Sequence, residues 1–299
     1  MNAGVIFLIL AMLLTPAVDG VAKTLSADYS PMMIAFVRYL SAGLIAVAVA
    51  RASGRRIEVP RDDRLGQVAR TALIMGAMTA LITALGMVPM AKAVGGFLIA
   101  PIVSGLLGIL VWREAPTLPR LAGSALSCFG AAILMRPEAG IELGSVFALV
   151  GGALLGTYLA ATRGARSQTD ALSTLAFQSL LGSGMLAPFA LAHGLPALTP
   201  ALLVSAAMLG GISAACHFLT VAAYQRVDAA QLAPFLYFNL ITAMVVGFVW
   251  FGETVSGVAM LGLVAIALGG LTTLVEPERL RALAPMRLRV LAPMRLRLA

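Results

Sequence analysis

The sequence predicts an all-α membrane protein, with ten transmembrane helices arranged as two inverted five-helix repeats. Three observations carry that expectation: a composition too apolar for a soluble surface, ten long apolar runs, and residues that recur at one offset. The 299-residue chain is 60% hydrophobic and 11% charged, with a mean hydropathy of +0.97. A soluble domain carries about 25% charged residues because its surface faces water. The two cysteines, Cys128 and Cys216, both lie inside apolar runs, with no C-x-x-C spacing to suggest a metal or a redox pair. The net charge of +8 is read as arginine-rich loops held on one side of a bilayer, not as a nucleic-acid surface.

A helix needs about 20 apolar residues to cross the hydrocarbon core. Runs near that length fall at 3–22, 32–50, 71–88, 93–111, 119–135, 144–161, 171–192, 201–223, 230–250 and 255–275. The first resembles a secretory leader. It has no basic start and no A-x-A cleavage site, however, and Asp19 lies where cleavage would fall, so it is expected to be a retained span. The runs are continuously apolar and do not alternate, which favours helices over a barrel. Most of the breaks between them are shorter than ten residues, so consecutive helices should be neighbours.

With the N-terminus placed inside, seventeen of the 21 Lys and Arg residues fall on the cytoplasmic side, including Arg51, Arg55, Arg56, Arg163, Arg166 and Arg226. Only Lys23, Lys92 and Arg136 fall opposite, and Arg38 is inside a span. That bias predicts two cytoplasmic termini, and hence an even number of spans. A multi-pass protein of a bacterial inner membrane is expected. The tail repeats LAPMRLR at 283–289 and 291–297. It is read as a basic cytoplasmic end, able to lie on anionic lipid or to remain unstructured.

The halves match at an offset of 139. Trp112-Arg113-Glu114 corresponds to Phe251-Gly252-Glu253, Gly123 to Gly262, and Gly130 to Gly269, and each half closes on a Pro-Glu pair, Pro137-Glu138 and Pro277-Glu278. The expected units are 1–138, 139–278 and a tail at 279–299. Five spans per half would bring the second half in from the opposite face, as in transporters that rock one repeat against the other. Glycines seven residues apart share a helix face and permit close helix contact, so Gly123/Gly130 and Gly262/Gly269 are expected to be scaffold.

Two five-helix halves, each with a Glu-bearing turn and a glycine-patterned last helix, resemble the drug/metabolite transporter superfamily of the EamA type. The segment Pro31-Met-Met-Ile-Ala-Phe-Val-Arg38 is similar to that family's second-helix opening. Within the superfamily the chain is similar to bacterial aromatic amino-acid exporters. It departs from the family pattern at Arg113, where the second half has Gly252. The resemblance implies a secondary transporter exporting small metabolites, amino acids including aromatic ones among them, by alternating access. It also implies a cavity lined by the first, third, fourth, sixth, eighth and ninth helices.

Ionisable groups inside a bilayer are functional candidates by default. Arg38 and Asp19 could receive a substrate carboxylate and its resting counter-charge; the alternative is a structural pair, or an Asp19–Lys23 pair with a snorkelling arginine. His217 is the one histidine inside a span, and either binds substrate or joins two helices as a neutral imidazole. Asn239, Phe235, Phe238 and Tyr237 share the ninth run with Pro234, and Phe97 shares the fourth with Gly95, Gly96 and Pro101. Interruptions at matching places in two halves point to a midplane site; ordinary packing would explain each aromatic singly. Tyr158, Thr157, Thr79, Met75 and Met78 are weaker candidates. The substrate-binding set is therefore His217, Asn239, Phe97, Phe235, Tyr158, Arg38, Thr79 and Phe238.

Glu114 and Glu253 each precede a helix and are expected to act as caps. Asp62-Asp63 reads as a solvated loop. A membrane-embedded enzyme acting on lipid-linked substrates is the competing class. Such an enzyme needs clustered acids, histidines or nucleophiles, and the chain offers no D-D-x-x-D, H-x-x-x-x-D or HExxH. No P-loop is present, which argues against ATP-driven pumping. No cofactor or metal is expected; the partners expected are a small-molecule substrate and membrane lipid, with no nucleic acid, for a monomer.

Overall fold

The computed structural model describes residues 3–58, 63–112, 118–135, 142–163, 170–192, 199–224, 226 and 233–273, and among them the chain is helical without strands. Helices α1 (Ala3–Leu25), α2 (Pro31–Ala52) and α3 (Arg64–Leu85) lead to a broken pair, α4 (Met90–Phe97) and α5 (Ala100–Trp112). Then come α6 (Leu118–Met135), α7 (Leu143–Arg163), α8 (Ala171–Ala190) and α9 (Pro200–Tyr224). A 3₁₀ turn, Ala233–Tyr237, leads into α10 (Phe238–Phe251), and α11 (Gly257–Thr273) ends the described chain.

Six of these segments are long and apolar enough to cross a membrane: Ala3–Leu25, Pro31–Ala52, Arg64–Leu85, Met90–Val111, Leu143–Thr162 and Pro200–Thr220. Leu121–Leu134, Phe235–Phe251 and Gly257–Thr272 are shorter and equally apolar in character. Large side chains such as Leu110, Phe129, Phe248 and Leu261 project outward from the bundle, which suits a lipid surroundings and no aqueous one.

Local chemistry sets the helix starts. Ser30 accepts from Met33 N ahead of Pro31, whose fixed φ suits a first helical position. Asp170 caps α8 by accepting from Leu172 N and Ser173 N. Desolvation alone would raise its pKa, but the hydrogen bonds from Ser173 and Leu172 and the charge of Arg55 outweigh it and hold the carboxyl below its ordinary value. The cap therefore persists above the usual carboxylate range and is lost only as pH falls through that lowered value. Asp63 caps α3 from a left-handed conformation, φ 52°, and its second oxygen accepts from Arg70.

The helix pairings are reciprocal between the halves. α1 packs on α9 and α3 on α7, while α2 packs on α8 and α6 on α11. At the offset of 139, α6 and α11 are equivalent helices crossing one another, and their contact is self-consistent. A Cβ at Gly130 would lie 2.7 Å from Gly262 O, one at Gly262 would lie 2.8 Å from Gly130 O, and one at Gly269 would lie 2.5 Å from Gly123 O. Ser127 Oγ donates to Ile266 O at 3.1 Å between those glycine contacts. The two glycine pairs are therefore backbone-to-backbone contacts, as the sequence led us to expect.

Both interruptions expected from sequence are present. The fourth run breaks at Leu98 and Ile99, and the ninth opens with the 3₁₀ turn ending at Tyr237, which the offset of 139 aligns with Leu98. The break in the fourth run is seated on α7: a Cβ at Gly152 would meet the carbonyls of Gly96 and Phe97 at 2.8 Å, and one at Gly156 would meet Ala100 O at 2.5 Å. Small residues thus let an irregular backbone bury itself in protein, where its polar groups are shielded from lipid.

Candidate functional site

A cavity of about 500 Å³ lies within the bundle, lined by α1, α2, α3 and their counterparts α7, α8 and α9. Its wall is mostly apolar, with Met12 and Val18 from α1, Ile74, Met75 and Met78 from α3, and Leu155 and Leu159 from α7. Besides Thr15, Thr162 and Thr220, whose hydroxyls bond back to their own helices, polar groups come from few places: Arg38 and Tyr39 on α2, Tyr158 on α7, Gln178 and Ser179 on α8, and Ser213 and His217 on α9. An apolar enclosure with a few placed polar groups is the ordinary form of a small-molecule site.

Arg38 holds the cavity wall together electrostatically. It is 8% exposed, donates from Nε to Ser213 Oγ at 2.9 Å, and faces Asp19 Oδ1 from Nη1 at 3.4 Å. Asp19, on α1, is 1% exposed. Lys23 does not pair with Asp19. It turns to the end of the bundle, where Nζ meets Glu253 at 3.0 Å and donates to Leu85 O at 2.6 Å and Val88 O at 2.8 Å. His217 Nε2 is buried and has no hydrogen-bond partner among the described residues.

Of the eight residues singled out from sequence, Arg38, Tyr158 and His217 line the cavity. Phe97 lies one layer behind, in a cluster with Met78 and Leu155, which do line it. Phe235 packs against the Leu8 and Ala223 cluster, as Met12 of the wall also does, and stacks on the more exposed Phe238 with ring centroids 6.2 Å apart. Thr79 and Asn239 are outside the lining, and Thr79 Oγ1 and Asn239 Oδ1 are buried without a partner among the described residues. Met75 and Met78 are in the wall, whereas Thr157 returns its hydroxyl to Ala153 O.

Two expectations are corrected by the geometry. This cavity is lined by α1, α3, α7 and α9, as the resemblance implied, together with α2 and α8; α4 does not line it and packs against α7, α10, α3, α6 and α11. Glu253 does not cap the helix that follows it. Ser256 does that by accepting from Ala259 N, while Glu253 Oε2 reaches Met90 N, the start of α4, at 2.7 Å. Asp63 caps a helix and is no free loop acid. Glu114, Asp62, His193 and the tail 279–299 lie outside the described residues. Sequence reasoning passed over Tyr39, Gln178, Ser179 and Ser213; their signal was only that polar side chains stood in apolar runs. Among the described residues no three of His, Cys, Asp and Glu gather as a metal site would require.

The EamA-like transporter family profile matches residues 2–136 and again 142–275. The chain belongs to the EamA-like transporter family. It is accordingly a multi-pass membrane protein of a transporter family. A solved crystal structure, 15% identical, covers 95% of this EamA chain and 100% of its own with a TM-score of 0.65, a likeness of fold alone. A relative from Streptantibioticus cattleyicolor, named as a probable terminal-alkyne amino-acid exporter, is 29% identical over 169 residues. That match covers 55% of this chain and 57% of the relative's length.

Proposed function

We propose that this EamA transporter exports amino acids, those with large side chains included, from the bacterial cytoplasm by alternating access. The observation that carries the reading is Arg38: one buried cation on the wall of a mostly apolar cavity. A guanidinium there suits a substrate carboxylate, which it can hold through two parallel hydrogen bonds. The methionines and Leu155 suit an apolar side chain, since Met adapts to irregular surfaces. Tyr158 and His217 Nε2 add polar groups, and the volume lies within the usual range of roughly 300–1,000 Å³ for ligand sites. The amino-acid exporter named among the relatives supports the same substrate class.

In this reading the chain crosses the membrane ten times as two inverted repeats, 1–138 and 139–278, with both termini cytoplasmic. The cavity then lies near the middle of the membrane: its α7, α8 and α9 residues fall in the halves of those helices nearest Arg163, Ala171 and Arg226, and its α1, α2 and α3 residues near the helix midpoints. The opposite end is shut by Lys23 and Glu253, and by the Lys92–Glu142 pair at 2.7 Å. Both pairs join the two halves. Their separation is the step that would turn the cavity outward.

A substrate panel in proteoliposomes, run with and without a pH gradient, tests the reading. Phenylalanine should move faster than alanine, and Arg38→Gln should slow both by about 10- to 100-fold, the scale of a lost charged hydrogen bond. Folded protein that moves no amino acid would contradict it.

A further inference from the structure

We propose that Asp19 is the ammonium receptor of the cavity, so that Asp19 and Arg38 give up each other for the two ends of a zwitterionic amino acid. The inference rests on the reading of the cavity as an amino-acid site and names the residue that would make it selective for zwitterions.

The resting pair is under-satisfied on both sides. A guanidinium has five N–H donors. Among the described residues Arg38 uses one on Ser213 Oγ at 2.9 Å and directs one at Asp19 Oδ1 at 3.4 Å, leaving three without a protein acceptor. Charge-assisted N–H···O contacts are ordinarily about 2.7–2.9 Å, and a structural Arg–carboxylate pair is commonly bidentate. The Asp19 carboxylate has room for about four hydrogen bonds. Among the described residues it receives only the long one from Arg38, although it is 1% exposed. Ionised groups held this deep in a membrane protein are expensive unless fully paired. Arg38 stands in the cavity wall and Asp19 directly behind it, outside the lining, so this loose, single-contact pair is a poor structural solution, one that opens when a ligand draws Arg38 aside.

The charges decide which ligand fits. The empty pair is neutral. The carboxylate and ammonium of an α-amino acid sit on one carbon, so a zwitterion can enter between two side chains already in contact and give each a closer partner while the sum stays zero. An amine without a carboxylate would take Asp19 and strand Arg38. An acid without an amine would take Arg38 and strand Asp19. Either leaves one buried charge unpaired, the condition that polar sites reject most strongly. Asp19 is then a specificity-determining residue, and Lys23, one turn further along α1, does not compete for its carboxylate, being engaged by Leu85, Val88 and Glu253.

The test is counterflow of labelled phenylalanine by the full chain in proteoliposomes, with three unlabelled competitors: phenylalanine, 2-phenylethylamine and 3-phenylpropionate. The wild type should be inhibited by both analogues about 10- to 100-fold more weakly than by phenylalanine. In Asp19→Asn the ratio between phenylalanine and 3-phenylpropionate should collapse at least about 10-fold, since no carboxylate is left to strand. 3-Phenylpropionate competing within about threefold of phenylalanine in the wild type overturns the proposal, as does an unchanged ratio in Asp19→Asn. If Asp19→Asn does not reconstitute, the wild-type series decides alone. Failure of the amino-acid reading itself shows differently, as phenylalanine that neither exchanges nor competes in the wild type.

Discussion

A Cβ at Gly262 would stand 2.8 Å from a backbone oxygen of Gly130 and 3.0 Å from the Leu134 nitrogen. Neither atom can rotate away, so a larger side chain there must push α6 and α11 apart. Gly262→Leu is expected to cost at least about 1–3 kcal/mol through overpacking, and more because the obstacle is backbone. The check is folded yield and thermal midpoint in detergent, compared with Gly257→Leu, where a Cβ meets nothing within 4 Å. Equal losses would contradict the close contact. These glycines were legible because spacing alone placed them on one face. Arg38 and Asp19 were legible as charges in apolar runs, since such residues are rare there for a physical reason. Ser213 and Gln178 were not, because a single hydroxyl or amide in a span is as often bonded locally as aimed at a cavity. Asn239 and Phe238 show the converse: side chains with suitable chemistry, on a segment whose packing turns them from the lining.

The ends of the helices hold the clearest device. Lys23 closes one end through Glu253, two carbonyls and the Phe251 ring, 5.6 Å from its centroid. Beneath it α1 meets α10 closely, a Cβ at Gly20 falling 2.7 Å from the Trp250 ring. Lys23 and Glu253 have side chains only 16% and 15% exposed, so their pair is screened less than a surface one. Cys216 lines the cavity and offers a native reporter. In a Cys128→Ser background, an impermeant maleimide added outside cells should label Cys216 faster by about 5- to 30-fold in Lys23→Met or Glu253→Gln, the effect of losing 1–2 kcal/mol. Lys92→Gln should do less, since Glu142 is 52% exposed and such pairs contribute about 0–1 kcal/mol. Unchanged labelling in all three would remove the latch. The sequence showed Glu253 to be placed at a helix junction. It could not show that the carboxylate reaches across to α4, because that partner comes from the other half, 163 positions away.

At the scale of the molecule, α1 pairs with α9, α3 with α7, α2 with α8 and α6 with α11, so each half is built on the other. The offset of 139 made the two halves visible, and runs of about 20 residues made their helices visible. The edges were less so: α3 begins at Arg64 because Asp63 caps it, seven residues before its apolar run. The resemblance implied four of the helices that line the cavity, α1, α3, α7 and α9; that α2 and α8 join them was not legible, because periodicity gives a face and not its neighbour. An even number of spans predicts that a reporter fused at residue 278 is active only in a cytoplasmic form; a periplasmic signal there would break the ten-span account.

The central claim is that amino acids bind in the cavity beside Arg38. Cys216 is 8% exposed in that wall, whereas Cys128 is exposed on α6. The most direct measurement is maleimide labelling of both cysteines in inside-out vesicles with increasing phenylalanine. The account predicts that phenylalanine slows labelling of Cys216 in a saturable way, leaves Cys128 unchanged, and loses its effect in Arg38→Gln. Transport of phenylalanine with no protection of Cys216 at saturating substrate would contradict it.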